Sequence, residues 1–171
     1  PGHLVDINTL AGLDRIERVG DELVIGACVR HAAFHTPVID GPLGAFLTGV
    51  VQNIAHYPIR QRGTFCGSVA HADPASEWCA VVALLDATIV AQSTRGERLI
   101  PVADMFQGVM TTALEEDELL REIRIPIPVD GRRFGFCEFN RRAGDFAIAM
   151  AAVSYRVDGG VIADPHISIG G

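Results

Sequence analysis

The sequence predicts an α+β protein with a mixed or antiparallel sheet and flanking helices. Short apolar runs come in pairs around turn residues: 16–19 with 23–27 across Gly20-Asp21, and 87–91 with 97–102 across 93–96. A third pair flanks Asp158-Gly159-Gly160. Leu43, Phe46, Leu47, Val50, Val51 and Ile54 instead recur every three or four positions, one buried helical stripe.

In chain order, residues 4–7 read as a short strand leading into a turn at 8–12. The first hairpin follows, then a short helix over 29–34 ended by Pro37. Residues 42–55 are the clearest helix. Asp73 is a favoured N-cap and Pro74 a favoured first helical residue, so a second helix is predicted over 73–85. After the second hairpin come a helix over 104–113 and a strand over 119–125, where Ile123 and Ile125 alternate with Arg124 and Pro126 stops the run. Pro126-Ile127-Pro128 with Asp130-Gly131 interrupts both periodicities and marks a domain boundary. Beyond it lie a strand over 134–139, a charged turn at 141–145 and the last hairpin.

The chain has 171 residues, 49% apolar and 20% charged, the balance of a folded protein. Its 14 basic and 21 acidic side chains leave a net charge of −7, which argues against nucleic acid or an anionic membrane as the main partner. No apolar run is long enough to span a bilayer, and Pro1-Gly2-His3 does not resemble a secretion signal, so a cytoplasmic protein is expected. Cys28, Cys66, Cys79 and Cys137 match no metal or cluster spacing and read as free thiols.

The densest punctuation lies at residues 59–77. Gly63 and Gly67 bracket Thr64, Cys66 and Ser68, and Asp73-Pro74 precedes an apolar run from Trp78 to Leu85. Glycines admit close backbone approach, and short hydroxyls add donors beside exposed N–H groups. Together they make a cradle for an anion such as a pyrophosphate. The same spacing also serves as a strand-to-helix connection without any ligand.

This string resembles the flavin-binding motif of the medium, FAD-carrying subunits of molybdenum hydroxylases, the family of carbon monoxide and xanthine dehydrogenases. Thr64, Phe65, Cys66, Gly67 and Ser68 stand where such subunits carry Thr/Ser-x-Gly-Gly-Asn/Ser. Asp73-Pro74 and Glu77 stand at the following Pro and acidic positions. Leu4 to Asn8, Ile25 to Ala27, Asp117 to Pro126 and Arg141 to Ala147 follow in the order those subunits show. The resemblance implies a fragment: residues 1–128 as the second subdomain of a PCMH-type FAD-binding domain, and 129–171 as the start of a C-terminal α+β domain. It implies FAD on this chain, with molybdopterin on a large subunit and 2Fe-2S clusters on a small one, in a dimer of heterotrimers. Electrons would pass through the flavin to an external acceptor.

Carried over residue by residue, the resemblance gives Thr64, Phe65, Cys66, Gly67, Ser68, Asp73, Glu77, Leu120 and Glu138 as cofactor-binding positions, with no catalytic acid, base or nucleophile. Glu77 would accept hydrogen bonds from ribityl or ribose hydroxyls. Asp73 reads first as a cap, and Phe65 divides evenly between cofactor and core. Cys66 replaces a usual glycine, and its Cβ limits positive φ. Glu138 stands where many relatives carry Lys, which reverses the charge. Arg141, Arg142 and Asp145 read as a salt-bridged surface bend, and Trp78 as core or subunit interface. A stand-alone flavoprotein oxidoreductase and a non-enzymatic assembly domain that has lost flavin are the competing readings.

Overall fold

A computed structural model describes residues 2–129 and 131–171. Strands β1 (Ile16–Val19) and β2 (Glu22–Gly26) form the first hairpin, followed by a 3-10 turn at His31–His35. Helices α1 (Pro42–Val51), α2 (Tyr57–Arg60), α3 (Phe65–His71) and α4 (Glu77–Leu84) come next. Then follow β3 (Thr88–Ser93), β4 (Gly96–Pro101), α5 (Val102–Met105), β5 (Phe106–Gly108), β6 (Thr111–Thr112) and β7 (Leu119–Pro126). β8 (Arg133–Phe139), β9 (Ala149–Asp158) and β10 (Val161–Gly170) complete the chain.

The strands form a five-stranded sheet in the order β1-β2-β7-β3-β4, a three-stranded sheet β10-β9-β8 and the small β5-β6 ribbon. All described pairings are antiparallel, so the predicted α+β class is realised in its antiparallel form. β7 enters between the two early hairpins, pairing Ile123 with Ile25 on one side and Ile89 on the other. α3 packs on β2 and β7, whereas α1 and α4 pack on the three-stranded sheet. One core therefore runs through both layers, from Ile25, Ile89 and Ile123 through Phe65, Trp78 and Val81 to Ala152. α4 is buried at seven of its eight positions, as expected of a helix apolar on every side.

Several expectations are corrected. Residues 4–7 form no strand; Asp6 instead closes a turn by accepting from the Asn8 amide at 2.9 Å. The stretch expected as helix over 104–113 is α5 followed by the β5-β6 ribbon: Gly108 is a poor helix former, and β-branched Thr111 and Thr112 suit a strand. α1 ends at Val51, four residues early. Asp130 of the expected Asp130-Gly131 turn lies outside the described residues.

The helix expected from Asp73 starts at Glu77 instead. The Asp73 carboxylate accepts from the Ala75 amide at 2.9 Å and its carbonyl from the Ser76 amide at 2.9 Å. Asp followed by Pro suits positions i and i+1 of a β-turn as well as a helix start, and here the turn wins.

Candidate functional site

The expected cradle is a helix start. Residues 29–31 and 63–65 run side by side: the His31 amide donates to Gly63 O at 3.0 Å and the Phe65 amide to Val29 O at 3.0 Å. Thr64 leaves this pairing in extended conformation as the N-cap of α3, and its Oγ1 accepts from the Gly67 amide at 3.0 Å. A Cβ on Gly67 would lie 2.5 Å from that Oγ1, so the glycine preserves the cap. A Cβ on Gly63 would lie 2.6 Å from His31 Nε2.

The helical period then sorts the motif. Phe65, Cys66 and Val69 face the core, whereas Thr64, Gly67 and Ser68 remain on the open side. Phe65 packs against Phe34 and Trp78, with ring centroids 5.3 and 4.6 Å away, so its side chain is core. Cys66 sits in ordinary helical conformation and needs no positive φ. Its thiol lies 3.4 Å from Ile25 O, and burial pushes it far above the usual thiol range. Any contact that Phe65 or Cys66 makes with a ligand is left to the main chain.

Beside this helix start lies a cleft of about 250 Å³. Ser68, His71, Asp73, Ser76 and Glu77 form one wall, and Gly144, Asp145 and Phe146 another; His31, Ile54, Ala55 and Ile59 close it. Two backbone features shape it. Ala72, at φ 54°, ends α3 and redirects the chain through the Asp73 turn into α4. Gly144, at φ +87°, turns the loop after β8 toward α2, where a Cβ would lie 2.5 Å from His56 Cε1. The 141–145 bend is held by the Asp145 amide donating to Arg142 O at 2.9 Å, not by the expected salt bridge; among the described residues no ion pair joins Asp145 to Arg141 or Arg142.

Glu77 is the unusual member. It is 8% exposed, lines the cleft, and among the described residues has no partner beyond its own amide. Burial pushes its carboxyl up to about 7, with the charges of Glu138 and Asp73 adding to the rise. Glu138, half-buried on β8, keeps Oε1 on Asn140 Nδ2 at 3.0 Å, while its buried Oε2 has no partner. Burial raises its carboxyl too. His31 lies behind the wall, its Nδ1 accepting from Trp78 Nε1 at 2.9 Å. Burial, with Arg60 and Arg30 adding to it, lowers His31 to about 4, so the ring is neutral.

The structure thus gathers Ser68, Asp73 and Glu77 on one cleft, with Thr64 and Gly67 on the adjoining open face. Leu120 is not part of the cleft lining; it is buried in β7 opposite Ala91. A larger groove of about 730 Å³ between α1 and β8 contains none of the motif residues. The smaller cleft is the better site because convergent polar groups and an unpartnered buried carboxyl distinguish binding sites more than volume does. Sequence reasoning missed His31, Ser76 and Phe146. The pairing of His31 with Trp78 joins positions 47 apart, and no local pattern signals it.

Comparison with known proteins identifies the family. A family model described as the FAD binding domain in molybdopterin dehydrogenase matches residues 1–128. The nicotine 6-hydroxylase medium subunit of Paenarthrobacter nicotinovorans is 37% identical over the whole chain, which spans 60% of that relative. Among solved structures, the carbon monoxide dehydrogenase of Hydrogenophaga pseudoflava superposes with a TM-score of 0.87 at 31% identity over 92% of this chain and 55% of its own. Quinoline 2-oxidoreductase of Pseudomonas putida gives 0.84 at 35%, over 92% and 55%. On that similarity the chain belongs to the family of FAD-binding domains of molybdopterin dehydrogenases.

Proposed function

We propose that this chain is the flavin-holding part of the medium subunit of a molybdenum hydroxylase, and that the cleft bounded by Ser68, Asp73, Glu77 and Phe146 takes part of FAD. The observation that carries this reading is Glu77: a buried carboxyl facing a cleft without a protein partner wants a hydroxyl donor. FAD offers such donors on its ribityl and ribose groups. At about 250 Å³ the cleft suits one portion of a dinucleotide, not the whole. Its donor set therefore fits the cofactor.

When bound, the flavin supplies the redox chemistry, and the protein supplies position and electrostatics. Glu77 accepts from ligand hydroxyls, and the Ser68 hydroxyl donates from the first turn of α3. Thr64 and Gly67 keep that turn closed and open to a phosphate. Phe146, 73% exposed at the rim, covers the apolar side of the cleft. Cys66 and Phe65 hold α3 to the sheet. The charge of Glu138 adds to the rise at Glu77, and Leu120 belongs to the strand under α3.

We extend the family reading to the whole protein's activity. Substrate is oxidised at a molybdopterin centre on a large subunit, 2Fe-2S clusters on a small subunit relay the electrons, and this subunit passes them to an external acceptor. The assembly is a dimer of heterotrimers in the cytoplasm. Among the described residues no helix is long and apolar enough to cross a membrane. We assign residues 1–128 to the second FAD-binding subdomain and 129–171 to the beginning of the C-terminal domain. Support comes from the grouping of β1–β7 in the first stretch and β8–β10 in the second.

The test is the visible absorbance of the full-length subunit, purified with its partners. Near-equimolar flavin that is lost on acid precipitation is expected. Complete absence of flavin in the intact complex overturns the reading in favour of an assembly domain. Dye reduction by the isolated subunit would favour a stand-alone oxidoreductase.

A further inference from the structure

The flavin reading gives the cleft an acceptor in Glu77 and leaves His31, which helps to close it, without a task. His31 is 4% exposed, and a buried imidazole has two nitrogens to satisfy. Nδ1 lies 2.9 Å from Trp78 Nε1. An indole nitrogen only donates, so Nδ1 must be bare and accept. Burial keeps the ring neutral, and a neutral imidazole with a bare Nδ1 carries its proton on Nε2. Trp78 therefore fixes the tautomer.

That leaves Nε2–H as a donor with nothing to give its hydrogen to. Among the described residues it finds no acceptor, yet it is not sealed from solvent as Thr48 Oγ1 and Glu138 Oε2 are. The opening that His31 lines is the cleft. Glycine at 63 leaves this edge of the ring uncovered, since a Cβ there would lie 2.6 Å from Nε2 and 2.8 Å from Cδ2. The ring is also held in place. Its own amide donates to Gly63 O at 3.0 Å, and the Trp78 ring that anchors Nδ1 packs against Phe34 and Phe65, 5.1 and 4.6 Å away. A donor oriented before any ligand arrives loses little freedom on binding. Its surroundings favour an oxygen acceptor: the charges of Arg60 and Arg30 reach the ring, although both guanidinium groups are committed elsewhere, Arg60 to His35 and the carbonyls of Ile54 and Ala55, Arg30 to Asn8 and the Arg62 carbonyl. The cleft thus offers a fixed donor as well as the Glu77 acceptor, and a hydroxyl, which both gives and takes a hydrogen bond, answers both.

We propose that His31 is a further cofactor-binding residue, whose Nε2–H, oriented through Trp78, donates to a sugar hydroxyl oxygen of the bound flavin nucleotide. The fixed tautomer belongs to the free protein; the contact rests on the flavin reading. Gly63 then has a purpose beyond the turn before α3, which is to keep the donating edge of the ring clear. Trp78 acts only through His31, because it is fully buried and is not part of the cleft lining.

The experiment uses the full-length subunit, freed of flavin and labelled with nitrogen-15 at its histidines. His31→Gln, whose amide can still accept from Trp78, assigns the His31 signals by their loss. Nuclear magnetic resonance should show a bare Nδ1 and a protonated Nε2 whose hydrogen exchanges with water. FAD should shift that Nε2–H and slow its exchange, and titration with riboflavin or adenosine reports whether the ribityl chain or the ribose supplies the oxygen. Trp78→Phe keeps an aromatic ring against Phe34 and Phe65 but frees the imidazole to turn, so it should weaken FAD binding by about twofold to tenfold. A bare Nε2 in the wild-type protein overturns the proposal without recourse to a variant. An Nε2–H unmoved while FAD binds overturns the contact, and full FAD affinity in Trp78→Phe overturns the orienting role. A shift that pyrophosphate produces as fully as FAD overturns the hydroxyl assignment. If FAD gives neither heat nor fluorescence quenching, the flavin reading and the contact fail together, and the fixed tautomer stands.

Discussion

Glu77 and His31 lie on the same cleft and bend the pH–stability curve in opposite senses. The Glu77 carboxyl, about 7 when folded against an ordinary 4.5, favours the folded state fully below 4.5; that contribution is lost as pH rises through 7. His31, about 4 when folded against 6.5, contributes above 6.5 and loses its contribution as pH falls toward 4. Glu77→Gln should therefore leave stability near pH 4.5 almost unchanged and raise it by about 3 kcal/mol above pH 7. Thermal melts across that range check this; a difference independent of pH would contradict it. Trp78 Nε1 depends on His31, so His31→Ala should cost about 1–3 kcal/mol in urea unfolding by leaving a buried donor unpaired. Thiol labelling gives a third check at this scale. Cys28, Cys66 and Cys79 are buried and Cys137 is exposed, so the native protein should label quickly at Cys137 alone. The Cys66 departure from glycine, troubling on paper, is harmless because the position is helical. Nothing in the one-dimensional string distinguishes a loop glycine site from a helical one when Thr64 can cap either.

At the scale of elements, the short helix α3 stands on its cap. Thr64→Ala removes the acceptor for the Gly67 amide and should lower stability by about 1 kcal/mol. Under the flavin reading it also weakens FAD retention. Gly67→Ala should do the same by crowding Oγ1, which separates the cap from the chemistry of the hydroxyl itself. Leu47, fully buried in α1, should cost about 2–5 kcal/mol when cut to Ala, whereas Ala45 on the open side of the same helix should tolerate Ser within about 0.5 kcal/mol. Both are read from denaturant midpoints. Elements with long periodic stripes or tight turns were legible in the sequence: α1, the β1-β2 and β3-β4 hairpins, β7 and the β9-β10 hairpin across Gly159-Gly160. Those whose ends depend on tertiary partners were not. α4 starts late because Asp73 spends its carboxylate on a turn, and residues 106–112 become a ribbon whose Met110 amide donates to Ala72 O.

For the molecule as a whole, the α+β class and the family were legible because several motifs lie in register along the chain. The site was half legible. Thr64, Gly67, Ser68, Asp73 and Glu77 lie on or beside the cleft, since they belong to one contiguous stretch. The opposite wall, Gly144 to Phe146, arrives from the loop between β8 and β9 some seventy positions later, and only folding brings it there. The net charge of −7 and three carboxyls at the cleft fit hydroxyl recognition better than capture of free phosphate. Under the flavin reading, the pyrophosphate of a dinucleotide is expected on the open face of Thr64 and Gly67, outside the acidic floor. A crystal structure of the full-length subunit with FAD tests this most directly. The account predicts ligand hydroxyls within hydrogen-bond distance of Glu77, with Phe146 against the bound cofactor. Flavin seated instead in the groove between α1 and β8, with Glu77 facing water, would contradict it.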